Sequence, residues 1–260
     1  MYFSFLRRFF PSAEPLASTG PQHRGAIAGA LAALALIFTP LVVEAPALAR
    51  STTIAVVGDS IANDLGNGMR AYFANNANVN VVTNTRHSTG LVRPDYFDWN
   101  AEARRFVRGT KADAIVVVMG GNDRQNIRTD GRRLNRFTKP WLAEYERRVA
   151  RFMGILQNAK APVYWVGLPP VRSNVMSRNY RQMNSIFQRQ AAKHNIRFVS
   201  VWDALSDERG RYTSFGRDPQ GVRRQLRSED GMHFNPQGRL TLAAFVARQI
   251  GKAGGPRASR

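Results

Sequence analysis

The chain of 260 residues carries 38 Lys and Arg against 18 Asp and Glu, a formal net charge of +20, and no cysteine. With 43% hydrophobic residues it can fill the core of one α/β domain, which excludes collagen-like, coiled-coil and fully disordered readings. The missing cysteine excludes a disulfide scaffold, a thiolate nucleophile and zinc-finger or iron–sulfur ligation, so any nucleophile is an oxygen or an amine.

Residues 26–43 are uncharged and apolar, preceded by Arg7, Arg8 and Arg24 and followed by the small-x-small run Ala47-Leu48-Ala49. This predicts a signal peptide over 1–49, cleaved after Ala49, with a periplasmic or secreted product. The alternative is an uncleaved anchor facing the periplasm, since the stretch approaches the roughly 20 residues of a spanning helix; Pro40 and the cleavage site favour removal. Arg7-Arg8-Phe9-Phe10 partly matches a twin-arginine signal, but Leu6 stands where a small polar residue is usual, so the export route stays open. An exported chain of this charge is expected to meet anionic lipids or glycans of the envelope, and not nucleic acid. The alternative is a solvated, arginine-rich surface.

From residue 50 the pattern is one domain over 50–253, with a polar tail over 254–260. Apolar runs at Thr53–Val57, Val79–Val82, Ala114–Met119, Val163–Leu168 and Ile196–Trp202 predict strands. Helices are expected around 61–75, 98–108, 140–158, 173–194 and 236–250. Nearly continuous apolar strands alternating with helices imply a parallel sheet covered on both faces, with ligands beyond the carboxyl ends of its strands.

The chemistry-bearing residues are therefore sought at those ends. Ser60 follows the first strand through Gly58 and Asp59 and precedes a helix, which suits a nucleophile or, alternatively, a helix cap. Gly90 lies past the second strand, where its amide can approach a ligand; Asn122 follows Gly120-Gly121, in a crevice position or an ordinary turn. Asn235-Pro236 is a helix-start signal that places His233 in the loop before the last helix. Asp230, three residues earlier, can reach one ring nitrogen and leave the other to accept a hydroxyl proton, or the two form only a surface pair. His87 and His194 lack such a setting.

Taken together, Gly58-Asp59-Ser60, Gly90, Gly120-Gly121-Asn122-Asp123 and Asp230-Gly231-Met232-His233 resemble, in order and spacing over 53–250, the SGNH (GDSL-type) hydrolase family, in an exported bacterial branch. The resemblance implies a three-layer α/β/α sandwich with a five-stranded parallel sheet, flavodoxin-like in topology. It also implies a nucleophile at Ser60, a base at His233 and an acid at Asp230. The oxyanion donors would be the Ser60 and Gly90 amides and the Asn122 side chain. No metal or cofactor is required. The expected activity is hydrolysis of O-acyl, chiefly O-acetyl, esters of envelope carbohydrate, with O-acyl transfer by the same site and a catalytically idle envelope-binding protein as alternatives. The basic segment from Ser206 to Glu229 is expected either to border the pocket, with Arg223 and Arg224 binding an anionic part of the substrate, or to be a solvated loop. Tyr96 and Trp99 are candidate platforms for a sugar ring, unless they belong to the core.

Overall fold

The structure, a computed structural model, describes residues 51–252, so the predicted leader and polar tail lie outside the described residues. Among the described residues no helix is long and apolar enough to cross a membrane.

Strands β1 (Thr52–Gly58), β2 (Val79–Thr85), β3 (Ala114–Val118), β6 (Val163–Val166) and β7 (Arg197–Val199) form one sheet in the order β2-β1-β3-β6-β7. Every neighbouring pair in it is parallel. Counting sheet strands alone, this is the 2-1-3-4-5 flavodoxin-like order, and the chain reverses direction across the sheet between β1 and β3. Right-handed crossovers then put α1 (Ser60–Tyr72) and α5 (Pro236–Lys252) on one face, packed on each other. The helices α2 (Trp99–Gly109), α3 (Lys139–Leu156) and α4 (Asn174–Lys193) cover the opposite face. The layers are those of the SGNH hydrolase fold. All five residues of β3 are buried, as expected of a central strand covered on both faces.

Two antiparallel hairpins were not anticipated: β4 (Ile127–Thr129) with β5 (Arg132–Leu134), and β8 (Phe215–Arg217) with β9 (Arg223–Gln225). Their three-residue, arginine-rich strands show no apolar alternation. The first did carry a legible signal: Asp130-Gly131 has positive φ at both positions, as a two-residue type I′ turn requires. The last strand is shorter than its apolar run, because it is an edge strand paired only to β6; Asp203–Leu205 continues as a 3-10 turn.

Register aligns the chemistry-bearing ends. Gly58 pairs with Thr85 on one side and Val118 on the other, so the segments after β1, β2 and β3 leave the sheet together at the switch point. Gly58 has φ 141°, and a Cβ there would lie 1.8 Å from the Val118 carbonyl oxygen, so only glycine permits this turn.

Candidate active site

Ser60 is the first residue of α1, and Asp59 is its cap. One Asp59 carboxylate oxygen accepts the Ile61 amide at 2.9 Å and the other accepts the Gly121 amide at 2.9 Å. One carboxylate thus ties the nucleophile turn to the segment after β3. Burial pushes the Asp59 carboxyl up to about 6, against the opposing pull of those two amides.

Across the site, His233 Nε2 lies 2.8 Å from Ser60 Oγ, and His233 Nδ1 lies 2.5 Å from Asp230 Oδ2. The other Asp230 oxygen accepts the amides of Met232 and His233 at 2.8 and 3.0 Å, which shapes the loop that presents the ring. Partial burial pushes the Asp230 carboxyl up, but its hydrogen bonds from the His233 ring and these amides prevail and hold it at about 2. With Asp230 ionised, Nδ1 carries the proton and Nε2 is left as the acceptor for the serine hydroxyl.

The histidine loop is anchored on both sides. The Phe234 amide donates to Asp64 of α1 at 3.0 Å, and the same buried carboxylate pairs with Arg239 of α5 at 2.7 Å. Arg227 is only 1% exposed; its guanidinium donates to the carbonyls of Met232 (2.9 Å) and Pro170 (2.7 Å) and lies 4.1 Å from the centre of the Phe234 ring. Burial lowers its pKa to about 10, which leaves it charged at neutral pH. Asn235 caps α5, accepting the Gly238 amide at 2.8 Å, as the Asn-Pro signal indicated.

The Gly90 loop is held along both edges. Buried Asp123 accepts the amides of Leu91 and Val92 at 3.0 and 2.9 Å and the Tyr145 hydroxyl at 2.9 Å; Arg148 of α3 donates to the carbonyls of the same two residues at 3.1 and 2.9 Å. A Cβ on Gly90 would lie 2.1 Å from Asp123 Oδ1, so the close approach of carboxylate and loop requires glycine. Asn122 Nδ2 donates one proton to the Thr89 carbonyl at 3.0 Å, leaving its second for a ligand. Among the described residues the Ser60 and Gly90 amides have no protein acceptor. Two backbone N–H groups and one side-chain amide proton are therefore without a protein acceptor among the described residues.

The expected substrate residues fare differently. Trp99 is buried between Phe97 and Phe152, and its Nε1 donates to Thr89 Oγ1 at 3.0 Å. It is a core residue that supports the Gly90 loop and presents no face to a sugar; the apolar core has claimed an aromatic at a helix start. Tyr96 is 56% exposed and stands beside Asp95 on the same loop. Arg223 and Arg224 lie on β9, and the cavity that Arg223 helps to line, between residues 204 and 223, includes none of Ser60, Gly90, Asn122 and His233. The basic segment folds back on itself as a hairpin, and it is tied to the histidine loop where the Gln225 carbonyl accepts Asn235 Nδ2 at 2.9 Å. Arg224 pairs with Asp218 at 3.1 Å, and Arg223 stacks 4.7 Å from the centre of the Phe215 ring. His194 caps α4 and meets Gln157 at 3.0 Å, a structural role. Asp64, Asp123, Arg148 and Arg227 were missed as supporting residues, because nothing in their local sequence reports partners that are distant along the chain.

The family model described as "Protein of unknown function (DUF459)" matches residues 53–249. No curated protein sequence matches the chain. Similar solved structures include a putative SGNH hydrolase from Slackia heliotrinireducens, 18% identical with TM-score 0.52, covering 76% of this chain and 98% of that one. A carbohydrate acetylesterase from Sinorhizobium meliloti is 11% identical with TM-score 0.53, covering 78% and 100%. A lipopolysaccharide acetyltransferase periplasmic domain from Salmonella ser. Paratyphi A is 16% identical with TM-score 0.51, covering 78% and 84%. At these identities the likeness is one of fold.

Proposed function

This chain belongs to the DUF459 family, and from the geometry of its site we propose that it is an exported serine esterase that hydrolyses O-acyl, chiefly O-acetyl, esters of envelope carbohydrate. The observation that carries the reading is the chain of contacts Asp230–His233–Ser60, together with the Ser60 and Gly90 amides, which have no protein acceptor among the described residues. Two of the similar structures, a carbohydrate acetylesterase and a lipopolysaccharide acetyltransferase periplasmic domain, support the substrate class. The apolar stretch before residue 50 supports export.

Ser60 Oγ attacks the ester carbonyl while its proton passes to His233 Nε2, and Asp230 stabilises the imidazolium through Nδ1–H. The carbonyl oxygen becomes an oxyanion held by the Ser60 and Gly90 amides and the second Nδ2 proton of Asn122; removing one such donor costs roughly 10²–10³ in rate. Collapse breaks the carbon–oxygen bond to the alcohol, which leaves with the proton from His233. Water, deprotonated by the same nitrogen, then attacks the acyl-serine and restores Ser60.

A second reading uses the same steps with a sugar hydroxyl in place of that water. The His233 and Asp230 side chains are 31% and 49% exposed, so an acceptor larger than water can reach the acyl-serine. Adding a carbohydrate acceptor to an assay and measuring the division of acyl groups between water and acceptor separates hydrolase from transferase.

The first test is release of p-nitrophenol from p-nitrophenyl acetate by the purified protein and by its Ser60→Ala variant. Loss of about 10³-fold or more in the variant is expected. Equal rates from the two proteins would overturn the serine mechanism and leave the idle envelope-binding alternative standing.

A further inference from the structure

A cavity of about 750 Å³ has the polar lining Arg93, Asp95, Gln125, Asn126, Arg128 and Arg133. Val92 also lines it, two residues after Gly90, and Gln125 follows three residues after Asn122, donating back to the Asn122 carbonyl at 2.9 Å. One wall of the cavity thus follows closely along the chain from Gly90 and Asn122, two of the three proposed oxyanion donors. The opposite wall is the β4–β5 hairpin, whose Arg128 carbonyl is approached by the same Arg148 that holds the Gly90 loop, at 3.4 Å. Hairpin and oxyanion loop share one buried strut.

Arg128 and Arg133 are directly opposite each other in the β4–β5 ladder. The two-residue turn at Asp130-Gly131 makes Thr129 and Arg132 the closing hydrogen-bonded pair, so Arg128 and Arg133 form the next, non-hydrogen-bonded pair, where side chains stand closest. Like charges so placed repel and destabilise a hairpin. Among the described residues no carboxylate lies within ion-pair distance of either guanidinium, whereas Arg93 is matched by Asp95 at 2.7 Å. Two unpaired, forked cations facing one cavity are complementary to a carboxylate-bearing ligand. The rest of the polar lining suits sugar hydroxyls: Gln125 is engaged only through its Nε2 and Asn126 only through its Oδ1, which leaves an acceptor and a donor side by side.

We propose that this cavity binds the carboxylate-bearing sugars of an acidic carbohydrate and presents their O-acyl group to Ser60. The proposal names the substrate class of the esterase or transferase reading and rests on it. Arg128 and Arg133 hold the anion, Gln125 and Asn126 meet hydroxyls, and the shared wall sets the reach from anion to oxyanion hole. Neutral acylated glycans leave the two cations uncompensated and bind more weakly.

Calorimetric binding of unesterified polygalacturonate to the Ser60→Ala protein tests the site without turnover. Changing Arg128→Gln and Arg133→Gln together is expected to weaken binding about tenfold or more at low salt and to flatten its salt dependence. The charge-matched control Arg104→Gln with Arg108→Gln, on the exposed face of α2, is expected to change it less than twofold. Equal weakening in both pairs, or none in the first, overturns the proposal. Thermal melting checks the fold, since relieving a cross-strand repulsion is expected to leave the hairpin variant melting no lower than its parent. In parallel, the protein with Ser60 intact is expected to cleave acetylated polygalacturonate faster than neutral acetylated xylan, with the ratio collapsing when Arg128→Gln and Arg133→Gln are introduced beside an intact Ser60. If no ester is turned over while the binding contrast persists, the esterase reading fails and the acidic-glycan site stands. If esters are turned over while both variant pairs bind alike, the site fails and the esterase reading stands.

Discussion

The two hairpins inserted into this fold are alike in sequence and opposite in electrostatic condition. Each sets two arginines directly opposite one another, Arg128 with Arg133 in β4–β5 and Arg217 with Arg223 in β8–β9. In β8–β9 the protein absorbs its own charge: Arg217 donates to the Gly221 carbonyl at 2.8 Å, Arg223 lies over Phe215, and the neighbouring Arg224 pairs with Asp218. In β4–β5 neither guanidinium has such a partner among the described residues. Each hairpin also has a buried arginine behind it, Arg227 after β9 and Arg148 behind β4, and these two hold the loops of the reacting centre. Basic residues close together in one sequence thus divide into struts, self-neutralised surface and open cations. A count of charges does not separate them.

The largest effect is expected from removing a strut. Arg227→Met leaves the Met232 and Pro170 carbonyls without their donor, at a cost of about 3 kcal/mol by denaturant unfolding, and lowers kcat on p-nitrophenyl acetate because the His233 loop loses its anchor. An undiminished kcat would break the distinction between strut and surface arginine. Arg148→Met is expected to cost a similar 2–4 kcal/mol, since it also removes one of the two arginine partners, Arg147 being the other, of the buried Glu144 carboxylate, which Arg148 pairs at 2.8 Å. Its signature differs: loosening the Gly90 loop reduces kcat through the oxyanion hole and leaves the Asp230–His233 pair in place.

Acid titration separates the contributions of the carboxylates from those of the arginines. Asp59 is raised to about 6, so the folded state keeps a proton that the unfolded chain releases near 4, and its contribution to stability falls as pH rises from about 4 to about 6. The change is about 2–3 kcal/mol and is expected to be lost from the unfolding profile of Asp59→Asn. Asp230, depressed to about 2, acts in the other direction: its contribution is complete above about 4 and fades as pH falls toward 2. A profile of Asp59→Asn that keeps the parent's slope between pH 4 and 6 would rule out this assignment.

The smallest effect sharpens the comparison most directly. Arg223→Gln removes an exposed cation–π contact and is expected to lower stability by about 0.5–1 kcal/mol, whereas Arg128→Gln relieves a repulsion and is expected to lower it not at all. Melting temperatures of the two variants side by side check this. If both fall equally, the hairpins are electrostatically equivalent.

Much of the site was legible before any coordinates. Ser60, Gly90, Asn122, Asp230 and His233 each sit in a local signal, a strand end with glycine or a helix-start dipeptide, and their order along the chain carried the resemblance. The structure brings them together because β1 and β3 end at the same level beside the switch point. Trp99 was legible only as an aromatic near a helix start; that it turns inward and holds Thr89 depends on Phe152 of a different helix. The surroundings of Arg223 and Arg224 were hidden for a related reason. A basic run shows charge, while Asp218 and Phe215, which absorb it, become neighbours only when the hairpin closes.

What the sequence by itself determined is the alternation of apolar strands and helices, hence the parallel sheet, together with the candidate residues of the site, because periodicity and turn chemistry are local properties of the chain. The tertiary structure alone decided which arginines are buried struts, which are neutralised by their neighbours, and which, among the described residues, line a cavity without a carboxylate partner. The free energy of a guanidinium depends on burial and on partners brought from distant segments. Arg148 meets carbonyls 56 and 57 residues away, and Arg227 meets one 57 residues away. No window along the sequence contains those distances.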